Sequence, residues 1–182
     1  MPELAMHILD IVQNSISAGA TIIEILIRID TVADRLAFAV KDDGCGMSEE
    51  MVARVISPFT TSRTTRKVGL GIPLIKQLAD MTNGRFALQS RVGEGTVLQA
   101  EFQLSHLDLP PMGDLVGTMQ SLLISAPESP EFVLTYEKNG KSFVFDTREV
   151  RAALGGLPLN LPDVLAWVKD FLTENIMEVE TQ

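Results

Sequence analysis

The sequence predicts an α/β fold, in which amphipathic helices alternate with strands that each have one apolar face. Two observations carry this prediction. Isoleucine occupies every odd position from Ile23 to Ile29, which is the period of a half-buried strand. Residues 3–18 instead repeat apolar side chains at helical spacing. With 182 residues, the chain is long enough for one ordinary core, or for one domain with an appendage.

The elements of the first hundred residues follow from the same patterns. The apolar alternation of residues 36–42 predicts a second strand, and a short helix is expected to begin at Ser48. Pro73 is placed near the start of another helix. Asn83 and Gly84 form a turn signal. Two further strands are predicted at residues 85–90 and 96–104.

Proline and glycine interrupt these patterns near residues 105–113, where we place a boundary. Residues 1–105 are predicted to form one domain, and residues 106–182 a C-terminal extension. The extension has the pattern of a helix, a β-hairpin across Asn139-Gly140 and two helices, the second capped by Asn160. Trp167 is predicted to lie in the core, and no motif indicates what the extension does.

Composition excludes several classes of protein. The net charge of −9 argues against nucleic-acid binding, which needs clustered lysine and arginine. No apolar run approaches the ~20 residues that span a bilayer, and the N-terminus does not have the pattern of a signal peptide. A single cysteine rules out an internal disulfide. These features fit a cytoplasmic location.

Asp42 is the first candidate site residue, because its strand alternation places a carboxylate on the core side. Burying a carboxylate is costly unless it has a partner. It can accept a hydrogen bond from an exocyclic amine such as that of adenine. Gly44 and Gly46 follow it, and a tight turn explains them as well as close approach to a planar ligand does. Cys45 between them is interpreted as a small spacer.

A polar stripe borders the apolar face of the first helix. It consists of His7, Asp10 and Asn14, and a solvated helix edge explains it as well as a site does. As a site, Asn14 offers a carbonyl oxygen to Mg²⁺. Asp10 then orients or deprotonates an attacking water. His7 is interpreted as a packed surface histidine.

A basic, hydroxyl-rich segment and a Gly-Leu-Gly sequence precede the third helix. Thr61, Arg63 and Lys67 lie either in a solvated loop or against one small polyphosphate. Gly69, Leu70 and Gly71 come just before a helix start, where free N–H groups and the helix dipole favour an anion. Glycine before a helix is common, however, and neither a Walker A nor a Rossmann fingerprint is present.

The order of these motifs resembles the GHKL superfamily, which includes gyrase, MutL and the catalytic domains of histidine kinases. Residues 7–20, HILDIVQNSISAGA, are similar to its N box, and residues 41–47 to the MutL motif. PFTTSR (58–63) and GLGI (69–72) resemble histidine-kinase motifs, and GEGT (93–96) resembles the last glycine box. The resemblance implies a Bergerat fold: a two-layer sandwich whose mixed, mostly antiparallel sheet is covered by helices on one face.

The resemblance also implies residue roles. Asn14 would bind Mg²⁺ and Asp42 the adenine amine, while Gly44 and Gly46 would line the base pocket. The glycines at 69 and 71 would approach the phosphates. Arg63 and Lys67 would lie in the lid, and Thr96 would support the adenine. Asp10 stands where hydrolytic members carry glutamate. Because His7 lies inside the N box, we do not expect self-phosphorylation in the usual manner of histidine kinases.

The function predicted from these features is Mg-ATP binding by a regulator that acts as a switch or kinase on an unidentified protein partner. The enzymatic activity is left open between an ATPase and a phosphotransferase. A serine/threonine kinase resembling anti-sigma factors and a non-catalytic, nucleotide-dependent adaptor are the alternatives. A homodimer is compatible with the sequence, whereas membrane and nucleic-acid partners are not expected.

Overall fold

The computed structural model describes residues 2–57 and 71–181. In chain order the elements are α1 (Leu4–Ser17), β1 (Ile22–Asp30), β2 (Arg35–Asp42), α2 (Glu49–Ile56), α3 (Gly71–Met81), β3 (Arg85–Arg91), β4 (Gly95–Gln103), α4 (Leu115–Ser125), β5 (Glu131–Lys138), β6 (Lys141–Asp146), α5 (Thr147–Leu154) and α6 (Pro162–Glu180). Among these residues, no helix is long and apolar enough to cross a membrane.

The strands form a single mixed sheet in the order β3-β4-β2-β1-β5-β6. β1 lies near the centre, pairing antiparallel with β2 and parallel with β5. Ile25 is opposite Val40 on one side and Leu134 on the other, so side chains of the three strands reach the same face.

One face of the sheet forms the core. The isoleucines of β1 at positions 23, 25, 27 and 29 are buried there, and Phe38, Phe102 and Phe132 are almost completely inaccessible. On the opposite face, cross-strand ion pairs join Arg28 to Glu137 and Lys41 to Glu24 at 3.4 and 3.6 Å. The predicted fold class, a mostly antiparallel mixed sheet with helices on one face, is therefore confirmed.

Ser48 and the Asn139-Gly140 pair have the predicted effect. Ser48 caps α2 by accepting a hydrogen bond from the Met51 N–H at 3.2 Å. Asn139 and Gly140 take φ values of 51° and 82°, and they form the turn between β5 and β6. Gly155 ends α5 with φ 62°.

Two predictions for the extension were wrong. The residue preceding α6 is Leu161, not Asn160, and no side chain caps this helix, whose first residue is Pro162. Trp167 is 50% exposed, because it lies at the border of the buried face of α6. Its ring stacks on Phe171 with the centroids 5.2 Å apart.

The extension contributes to the same sheet and to the same core as residues 1–105. β5 pairs with β1 from Ile22 to Ile29, and Phe132 and Leu134 of β5 are fully buried. The segment before α4 also serves α1, since Leu4 and Ala5 donate their N–H groups to the carbonyls of Pro111 and Met112 at 3.0 and 2.8 Å. α1 has no side-chain cap, so these carbonyls satisfy two of its free N–H groups. The division at residue 105 stays a prediction.

Candidate functional site

A cavity of about 170 Å³ opens between α1, α2, the start of α3 and the adjoining ends of β2 and β4. Its walls are mostly apolar, and they include Ile11, Val40, Met47, Ile72, Leu88 and Leu98. Four of the predicted site residues also line it: Asn14, Asp42, Gly46 and Thr96. An apolar cavity with a few convergent polar groups is typical of a small-molecule binding site.

Asp42 is the buried charged group of this cavity. The residue is 8% exposed, and the alternation of β2 directs its side chain to the core side, as predicted. The Ser15 hydroxyl donates to Oδ2 at 2.6 Å, and the Gly44 N–H donates to Oδ1 at 2.8 Å. These two donors compensate for the cost of burying the carboxylate.

The pairing of strands explains why Asp42 and Thr96 meet. The two residues are opposite each other in the antiparallel pair of β2 and β4, and both line the cavity. The Thr96 hydroxyl lies 2.8 Å from that of Ser90, which also accepts the Met47 N–H at 2.8 Å. Ser90 thus connects Thr96 to the turn that follows Asp42.

The glycines of this turn are required by contacts within the protein. Gly46 has φ 69°, and a Cβ on it would lie 1.9 Å from the Arg91 carbonyl oxygen. A Cβ on Gly44 would lie 2.9 Å from the Ala18 Cβ and 3.0 Å from Asp42 Oδ1. Gly46 lines the cavity, whereas Gly44 donates its N–H to the Asp42 carboxylate.

Further hydrogen bonds fix the turn to its neighbours. Cys45 donates its N–H to the Ala18 carbonyl at 2.9 Å and accepts from Gly93 at 2.7 Å. Asp43 points away from the cavity and accepts from the hydroxyl and N–H of Thr21 and from the N–H of Ile22. The hydrogen bond from the Thr21 side chain, followed by that from the Ile22 N–H, lowers the pKa of Asp43.

The three residues of the polar stripe on α1 lie in different surroundings. Asn14 is half-buried and lines the cavity. Asp10 is exposed and lies outside the described cavity walls, against the start of α3, where a Cβ on Gly71 would be 3.3 Å from the Asp10 Cβ. His7 is 7% exposed, so it is more buried than a surface histidine. Burial lowers its pKa, and the charge of Asp10 opposes that shift.

Some of the predicted site residues lie outside the described residues. These are Thr61, Arg63, Lys67, Gly69 and Leu70. The structure describes the base end of the predicted site together with Asn14, Asp10 and Gly71.

Two serines of the site were missed by the sequence analysis. Ser15 recurs at the spacing of Leu4, Ile8 and Ile11, so a hydroxyl within an apolar stripe was the available signal. Ser90 had no comparable signal, because its contacts join strands and a turn that are distant in sequence.

Comparison with known proteins agrees with this geometry. The family model described as histidine kinase-, DNA gyrase B-, and HSP90-like ATPase matches residues 2–106. The fold of the chain resembles the MutL ATPase domain of Aquifex aeolicus complexed with ADP. The TM-score is 0.50 at 17% identity, with 85% of this chain and 69% of that chain covered. The protein belongs to the histidine kinase-, DNA gyrase B- and HSP90-like ATPase family.

The curated relatives are much longer proteins. The chain is 31% identical over 119 residues to the non-motile and phage-resistance protein of Caulobacter vibrioides, covering 60% of this chain and 14% of that protein. It is 33% identical over 115 residues to the sensor histidine kinase AruS of Pseudomonas aeruginosa, covering 56% of this chain and 11% of the kinase. The chain therefore spans only a small part of the length of these relatives.

Proposed function

We propose that the chain binds Mg-ATP, with the adenine base in the cavity and the phosphates directed toward the start of α3. The observation that carries this proposal is the buried Asp42, which Ser15 and Gly44 hold by hydrogen bonds in the wall of a mostly apolar cavity. An ionised carboxylate is an acceptor only, so it selects a donor such as the exocyclic amine of adenine. Thr96 lies beside it in register and supplies a hydroxyl.

The phosphate end of the proposed site follows from α1 and α3. Asn14 borders the cavity and offers a neutral oxygen, which suits Mg²⁺ together with water and phosphate oxygens. The magnesium would draw charge from the phosphate oxygens. The N-terminus of α3 at Gly71 carries a partial positive charge, which favours an anion. The sequence predicts that Arg63 and Lys67 add further positive charge.

The proposed reaction is an in-line transfer of the γ-phosphoryl group. The bond between phosphorus and the bridging β,γ oxygen breaks, and a new P–O bond forms to water or to a hydroxyl of a partner protein. The nucleophile loses its proton to a base, and ADP takes up the negative charge. Asp10 is the candidate base on α1. Asp10 stands where hydrolytic members carry glutamate, and this difference favours a second candidate function, an adaptor that binds nucleotide without turnover.

The first experiment tests nucleotide binding. Asp42→Asn replaces an acceptor-only group with an amide of the same shape, and we expect titration calorimetry to show ATP affinity at least tenfold weaker. Loss of a hydrogen bond to a charged group corresponds to about 1.5–3 kcal/mol. Asp43→Asn is the matched control, because Asp43 is adjacent but bonds to Thr21. Unchanged ATP affinity in Asp42→Asn contradicts the proposal.

A second experiment separates the reactions. The protein is incubated with γ-labelled ATP in the presence and absence of proteins that co-purify with it. Release of free phosphate supports an ATPase, and a labelled protein supports a kinase of the kind that regulates a partner. Tight binding with neither product supports the adaptor.

A further inference from the structure

We propose that Ser15 is the positioning residue through which the cavity selects purines with an amine at position 6. The inference rests on the proposed nucleotide site and adds a residue to it. Ser15 is 4% exposed and lines the cavity from α1, one residue after Asn14.

The hydroxyl proton of Ser15 is committed to Asp42. Ser15 Oγ lies 2.6 Å from Asp42 Oδ2 and 3.4 Å from the Ile11 carbonyl oxygen, and it has one proton to donate. The shorter distance is that of a hydrogen bond to an ionised carboxylate. A serine that merely bonds back to its own helix would place the proton on the Ile11 carbonyl instead.

Two donors on different oxygens fix the plane of the carboxylate. The terminal torsion of an aspartate is broad by itself. Ser15 holds Oδ2 from the helix side, and the Gly44 N–H holds Oδ1 from the turn at 2.8 Å. The carboxylate has about four lone-pair positions, so two donors leave others available to the cavity. All of the remaining lone pairs are acceptors, so they can accept a hydrogen bond from a 6-amino group. A 6-oxo group is itself an acceptor and would be repelled.

Removing the hydroxyl leaves an oxygen unsatisfied in a buried place. In Ser15→Ala, Oδ2 loses its donor, and the carboxylate becomes free to turn away from the ligand. The substitution adds no volume and suits a helix, so α1 is expected to remain intact. The unsatisfied oxygen also lowers the free energy of unfolding. Base recognition is therefore measured by the ratio of two ligand affinities, which a loss of stability alone does not change.

The test compares two ligands that differ only in the amine. Dissociation constants are measured by calorimetry for ATP and for purine riboside triphosphate, which carries hydrogen at position 6. In the wild type we expect ATP to bind about tenfold or more tightly than the analogue, the range for a hydrogen bond to a charged group. In Ser15→Ala we expect ATP to weaken by about tenfold, while the analogue changes by less than about twofold.

The matched control is Ser121→Ala on α4. Ser121 is exposed, donates to the Gly117 carbonyl of its own helix at 2.9 Å, and is not among the described residues that line the cavity. This variant should keep the wild-type preference for ATP over the analogue. Thermal unfolding of both variants checks that the fold is retained.

The outcomes separate the two proposals. If the wild type binds neither ligand, nucleotide binding itself fails. If the wild type prefers ATP and Ser15→Ala keeps the same preference, or weakens both ligands equally, Ser15 does not act through Asp42. A preference that falls in Ser15→Ala and persists in Ser121→Ala supports the inference.

Discussion

Gly46 and Gly155 form a natural pair for measuring how closely the site turn is packed. Both have a left-handed backbone, with φ 69° and 62°. At Gly155 a Cβ would meet nothing within 4 Å, whereas at Gly46 it would lie 1.9 Å from the Arg91 carbonyl oxygen. Substituting alanine at each position therefore imposes a similar backbone cost, but only Gly46→Ala forces the turn away from β3.

The magnitudes follow from these two geometries. Placing an alanine in the left-handed region costs about 1–2 kcal/mol, so this is the full loss expected for Gly155→Ala. Gly46→Ala adds overpacking, which costs a further ~1–3 kcal/mol. In a domain of this size the extra loss lowers Tm by roughly 2–4 °C per kcal/mol.

Urea unfolding followed by circular dichroism gives both free energies of unfolding. We expect Gly46→Ala to be less stable than Gly155→Ala by at least ~1 kcal/mol. ATP affinity should also fall in Gly46→Ala, since Gly46 lines the cavity, and should be unchanged in Gly155→Ala. Equal losses of stability in the two variants would refute the close approach of the turn to Arg91.

Three further predictions concern the core and two titrating groups. Phe132 is fully buried in β5, so Phe132→Ala should lower the free energy of unfolding by about 3–5 kcal/mol. Calorimetry should show one transition at lower temperature rather than separate unfolding of the extension. Burial lowers the pKa of His7, so the unfolded state binds its proton more readily and the free energy of unfolding should fall below about pH 6.5. NMR titration should show a further decrease of that pKa in Asp10→Asn, because the Asp10 charge raises it. Because the pKa of Asp43 is lowered, this carboxylate contributes stability above its usual pKa and loses that contribution as the pH falls toward the lowered value. Thr21→Val removes the hydrogen bond that contributes most to the shift. The free energy of unfolding in urea should therefore differ less between pH 5 and pH 3 in this variant than in the wild type.

Features that depend on local periodicity were predictable from the sequence. The alternation of β2 placed Asp42 on the core side, and the structure has it 8% exposed there. The helical spacing of α1 put Asn14 at the border of the apolar face, where it lines the cavity. In both cases the side chain's direction follows from the period of its own element.

Features that depend on distant pairing were not predictable. β5 joins β1 in parallel, about a hundred residues away in sequence, and neither strand carries a signal for that partner. The bond from Ser15 to Asp42 similarly joins a helix to a strand end. Trp167 was misplaced because hydrophobicity indicates a preference for burial, whereas the rotation of α6 decides how much of the ring remains exposed.

The position of α1 is fixed at both ends by segments that are remote in sequence. At its start, the carbonyls of Pro111 and Met112 accept the free N–H groups in place of a side-chain cap. At its end, the Cys45 N–H bonds to the Ala18 carbonyl, and Ser15 bonds to Asp42. The extension therefore holds the helix that carries Asn14, while the turn after β2 fixes that helix relative to the base cavity. A displacement of residues 111–112 would move α1, and with it the proposed magnesium and adenine contacts together.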